Sequence, residues 1–147
     1  MRAFYLIATP IIVTGSLLIG LSPRAIAGPS PLFAVLLGGN ETAGGDTDGI
    51  GSATVTINRN KGRLCYGITV TGIDTPTLAH IHQGDAGVAG GVVVPLTPPA
   101  SGNPGASSGC VVVAAALLKS IESNPSGFYF NVHTAAFPGG ALRGQLF

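Results

Sequence analysis

Ser52-Ala53-Thr54-Val55-Thr56-Ile57, Asn58-Arg59-Asn60-Lys61-Gly62, Leu64-Cys65-Tyr66-Gly67-Ile68-Thr69-Val70-Thr71: two alternating runs around a polar turn decide the fold class. In the first run apolar residues occupy every second position, the period of a half-buried β-strand. The second run follows as its hairpin partner. Working outward, similar short runs recur at 32–37, 78–82, 92–96, 110–113, 128–133 and 142–147, the first reading as a buried strand that ends at Gly38-Gly39. Eight short strands at this spacing predict an all-β domain, a sandwich or Greek-key barrel. One segment departs from the pattern. At 114, 117, 118 and 121 the apolar residues follow helical spacing, and Asn124-Pro125 stops the run, so one short helix is predicted at an end of the domain. Segments 84–91 and 97–109 are rich in Gly, Pro, Ser and Ala and read as mobile loops.

The N-terminus points to export. Arg2 precedes an apolar run over 3–21, and Ala25-Ile26-Ala27 carries the small-x-small pattern of a signal-peptidase site. A membrane anchor is the competing reading, because the run is nearly of bilayer length. The expectation is a signal peptide over 1–27 and one mature domain over 28–147, secreted, periplasmic or at the cell surface. Without Arg2 and Arg24, the seven basic residues fall to five against six acidic ones, a formal charge of −1. No basic run exists to bind nucleic acid or an anionic membrane surface. The expected partner is an extracellular protein or surface component.

Two cysteines, Cys65 and Cys110, lie in the mature part. An even count in an exported chain predicts a disulfide. Closing a loop of this length contributes about 4 kcal/mol in the chain-entropy model. A reactive thiol pair or a two-cysteine metal site fits poorly, because no histidine neighbours either residue.

Strand periodicity turns the polar residues into geometry. Ala79 and Ile81 point inward, which leaves His80 and His82 on the opposite face, about 7 Å apart along the strand. Phe128, Phe130 and Val132 take one face of the next-to-last strand and Tyr129, Asn131 and His133 the other. In the last strand Arg143 and Gln145 oppose Leu142, Gly144 and Leu146. If these three strands are neighbours, one polar face carries His80, His82, Tyr129, Asn131, His133, Arg143 and Gln145.

Leu37-Gly38-Gly39-Asn40-Glu41, Ala79-His80-Ile81-His82-Gln83-Gly84, Asn131-Val132-His133-Thr134 and Leu142-Arg143-Gly144-Gln145-Leu146 occur in this order. Together they resemble the CHRD domain, named for chordin and widespread in microbial exported proteins, over about residues 32–147. The resemblance implies an immunoglobulin-like β-barrel, distantly similar to copper/zinc superoxide dismutase, and brings no established activity with it. The family usually has an acidic residue before the apolar-Arg-Gly-Gln segment, where this chain has Ala141. Glu41 is the candidate to supply that acid.

The superoxide dismutase analogy implies a metal reading. In those enzymes a His-x-His strand, a later histidine and a late arginine line the copper site, and His80, His82, His133 and Arg143 come in a similar order. Three imidazoles suffice for one copper or zinc ion with an open position, and Arg143 would draw in an anion. Three histidines cannot build a separate zinc site as well. The competing reading is a hydrogen-bonded network that joins these residues to Asn40, Glu41, Tyr129 and backbone carbonyls and fixes the loops. Asp46-Thr47-Asp48-Gly49 starts like a calcium loop but lacks the later ligands. No nucleophile elbow or spaced Ser/His/Asp set is present. A binding or structural module is therefore favoured over an enzyme, with a copper- or zinc-dependent redox protein as the alternative.

Overall fold

The computed structural model describes residues 30–147, so the signal peptide expected over 1–27 lies outside the described residues. The elements are β1 (Leu32–Leu37), β2 (Ile50–Asn58), β3 (Arg63–Thr71), β4 (Pro76–Gln83), β5 (Val92–Leu96), β6 (Gly105–Val112), α1 (Ala115–Ser123), β7 (Phe128–Thr134) and β8 (Leu142–Gln145). All strand pairings are antiparallel, in one sheet of order β5-β4-β7-β8-β1-β2-β3-β6. The sheet curls until its edges approach. There the Tyr66 hydroxyl of β3 accepts from the Thr97 N–H at 2.9 Å, and Ser107 Oγ of β6 donates to the Thr97 carbonyl at 2.8 Å. The all-β expectation thus holds in its Greek-key barrel form, with β3–β4 and β6–β7 as the crossing connections.

The hairpin that decided the fold class pairs in full register from Ile50↔Thr71 to Asn58↔Arg63. Its turn closes through Asn58, whose side chain accepts from the Lys61 N–H at 3.0 Å. Gly62 completes it at φ 59°, ψ 34°, a left-handed conformation that a side chain would disfavour. Inward-facing Ala53, Val55, Ile57, Leu64, Tyr66, Ile68 and Val70 then join Leu36, Ile81, Phe128, Phe130 and Leu142 in one core. Helix α1 adds Leu118 and Ile121 to the same core. No helix among the described residues is long and apolar enough to cross a membrane.

The disulfide expectation is met: Cys65 of β3 and Cys110 of β6 are direct cross-strand partners and are bonded. Two local expectations need correction. β6 begins at Gly105, inside the segment read as a loop, because β3 offers it a continuous register from Val70↔Gly105 to Arg63↔Val112. β1 is buried on one face only, with Phe33, Val35 and Leu37 outward and exposed. The chain also leaves β8 at Gln145, although Phe147 still exchanges two backbone hydrogen bonds of 3.0 Å with Phe33.

Candidate functional site

β4, β7 and β8 are consecutive in the sheet, and their register aligns the polar side chains. His80 lies opposite Asn131, which lies opposite Arg143; His82 lies opposite Tyr129, which lies opposite Gln145. Ala79 and Ile81 are buried in the core on the inner face, as are Phe128, Phe130 and Val132. Between Ile81 and His82 the pairing with β5 slips by a residue, a bulge of the kind found beside binding sites.

The polar face is not a surface. All seven residues of β7 are buried, because segments 84–91 and 135–140 fold over this side of the sheet. The first of these was expected to be mobile and is instead tied down. Gly84 N–H donates to Gly127 O at 2.8 Å, and Gly90 N–H to the Tyr129 hydroxyl at 3.0 Å. From below, Arg143 Nη2 donates to the Asp85 and Val88 carbonyls, both at 2.9 Å, and Gln145 Nε2 to Gly84 O at 2.9 Å. Arg143 is therefore a buried clamp at 2 % exposure and does not sit open to draw in an anion.

Under this cover His80, His82 and His133 converge, with one nitrogen from each within 4.8 Å of the others. His82 Nδ1 donates to the Gly90 carbonyl at 2.9 Å, and His133 Nδ1 donates to the Pro138 carbonyl at 3.0 Å. A carbonyl only accepts, so in both rings the proton sits on Nδ1 and Nε2 presents a lone pair. His133 Nε2 therefore accepts from His80 Nδ1–H at 3.2 Å. His82 Nε2 is buried and has no hydrogen-bond partner. Desolvation is the main reason why all three imidazoles hold protons less tightly than usual. At His80 the neighbouring histidines add to it, His133 before His82. At His82 and His133 the carbonyl bonds pull the other way, while Arg143 and His82 respectively add to the depression. Neutral imidazoles are the state in which histidine binds a metal, and here that requires the His80 proton to move from Nδ1 to Nε2.

A second polar group lies toward β1. An open cleft of about 470 Å³ is lined by Asn40, Glu41, Ala86, Gly87, Arg143 and Gln145, among others. Glu41 accepts from Asn131 Nδ2, and Asn40 Nδ2 donates to the Arg143 carbonyl at 3.1 Å. The Glu41 carboxyl fills the space that a side chain at Gly140 would take, next to buried Ala141. It thus occupies the neighbourhood of the acid that Ala141 lacks, without an ion pair to Arg143. Burial raises its pKa to about 7, against the lowering effects of Arg143 and the Asn131 hydrogen bond. Asp46 Oδ1 accepts from the Asp48 N–H at 3.3 Å, an ordinary Asx turn.

The polar residues read from the sequence thus separate into a histidine cluster and an amide–carboxylate cleft. Between them lies Tyr129, stacked on His82 at 4.8 Å and 13°, with the Arg143 guanidinium 3.5 Å from its ring centroid. The sequence reading expected backbone carbonyls around these residues but did not identify those of Gly90 and Pro138, which orient two of the three imidazoles. A backbone carbonyl has no signature in sequence; only the closeness of the Phe137-Pro138-Gly139-Gly140 turn to His133 hinted at one. No curated protein and no solved structure matches the chain. The CHRD domain family model matches residues 32–146, a span that holds every strand and all of these polar residues, and the chain belongs to the CHRD domain family.

Proposed function

We propose that this protein is an exported binding module whose ligand is a copper or zinc ion held by His80, His82 and His133. One observation carries the reading: three imidazole nitrogens lie within 4.8 Å of one another, and one of them, His82 Nε2, is buried without a partner. An orphaned buried acceptor is costly, and an ion at this point would satisfy it. The carbonyl bonds at His82 and His133 are the outer-shell contacts that fix ring orientation in metal sites. His80 would bind through Nδ1, with its proton on Nε2. A bound ion would supply Lewis acidity or, for copper, one-electron exchange; the chain's own residues orient the rings of His82 and His133 and bury them, while His80 is half-buried. Export is supported by the signal-peptidase pattern at Ala25-Ile26-Ala27 and by the disulfide.

The test is metal content. Protein refolded without metal and then offered copper and zinc should retain about one equivalent, as one three-histidine site requires. His80→Ala, His82→Ala and His133→Ala should each lose it while the barrel still melts cooperatively. Retention unchanged in all three variants, with only the melting temperature altered, would favour the second reading. That reading makes the histidines a structural network, and the 3.2 Å contact between His80 and His133 supports it.

A further inference from the structure

The histidine cluster brings no negative charge to an ion. Among the described residues no carboxylate or thiolate joins the three imidazoles. The carboxyl group of Glu41 on the polar face is turned to Asn131. A permanent positive charge, by contrast, is built in. Arg143 is 2 % exposed and is held by two carbonyls against the ring of Tyr129. Tyr129 of β7 separates it from His82 of β4, onto which the same ring stacks.

These charges discriminate between ions. The cost of desolvating an ion rises with the square of its charge, so a dication is roughly four times as costly to bury as a monocation of similar size. Anionic side chains, or an anion in the open position of a three-histidine site, offset that cost, and the cluster supplies no anionic side chain. Repulsion from Arg143 is likewise doubled for a dication. We propose that the cluster takes copper in its monovalent state in preference to zinc or divalent copper, and that Arg143, acting across Tyr129, enforces the preference. Arg143 is a positioning and field-setting residue here, since it touches no ligand nitrogen. Its clamp on segment 84–91 also fixes the stretch whose Gly90 carbonyl orients His82.

The inference rests on the metal-ion reading above, and the experiment separates the two. Metal-free protein is titrated anaerobically with monovalent copper against a chromophoric copper(I) chelator. Parallel titrations use zinc and divalent copper with their own competitors. The expected result is one equivalent of monovalent copper, bound more tightly than either dication and lost in His82→Ala. Arg143→Gln should narrow the monovalent preference by about tenfold or more, whereas Arg143→Lys, which keeps the charge, should retain most of it. If Arg143 variants do not fold, the wild-type comparison decides alone. Histidine-dependent binding in which zinc or divalent copper is held as tightly as monovalent copper overturns this inference and leaves the metal site standing. Equal effects of Gln and Lys at position 143 overturn the role of its charge. Binding of no ion in a histidine-dependent way overturns both.

Discussion

Glu41 holds a carboxyl group where its negative charge is poorly solvated, and burial outweighs both the attraction of Arg143 and the hydrogen bond from Asn131. The consequence for stability has a definite sign. Between its ordinary value of 4.5 and about 7, the folded state binds this proton more readily than the unfolded chain. Stability from Glu41 is therefore full below about 4.5 and is lost as the pH rises through about 7. Glu41→Gln removes the titration and keeps an acceptor for Asn131. The variant should gain in melting temperature relative to the wild type between pH 5 and 8. The histidines shift stability in the opposite direction over part of this range, so the difference between the two proteins is the quantity to follow. Parallel pH profiles would show that Glu41 titrates as it does when unfolded.

β6 gains its order from its partner. Its sequence, Gly-Ala-Ser-Ser-Gly-Cys-Val-Val, has low β-propensity over the first five residues, and local reading alone makes it a loop. Pairing with β3 and the Cys65–Cys110 bond override that preference. Replacing either cysteine by serine should lower stability by about 2–5 kcal/mol in denaturant unfolding. A loss below about 0.5 kcal/mol, the ordinary range for surface substitutions, would mean that the ladder holds β6 unaided. The elements with a strong period of their own, β2, β3, β7 and the buried side of α1, were the plainest beforehand, and β4, β5 and β8 were legible to within about two residues at their ends. The cover over the histidines was not legible, because a Gly-rich composition describes how segment 84–91 can bend and says nothing of what holds it. Its anchors, Arg143 and Gln145, lie more than fifty residues further along the chain.

At the scale of the whole molecule, the candidate site depends on β4, β7 and β8 lying side by side. Alternation within each strand told which face His80, His82 and His133 occupy, but no local pattern tells which strands are neighbours. The family motifs supplied that order, and the register then brought the imidazoles together. The burial of the polar face came from the folded-over segments, which only the complete barrel reveals. For the full chain, intact mass of the secreted product should place its N-terminus at Gly28, following cleavage after Ala27. A mass that retains residues 1–27 would make the protein membrane-anchored. The covalent tie between β3 and β6 has a consequence for timing. Thiols stay reduced in the cytosol, so under the export proposed above a chain waiting to be transported would lack the link that fastens one edge of its barrel. It would then be least committed to its fold while it still had to pass through a translocation channel. On that reading the bond would close in the oxidising space beyond, and the same pair of sulfur atoms that stabilises the domain would record that the crossing has taken place.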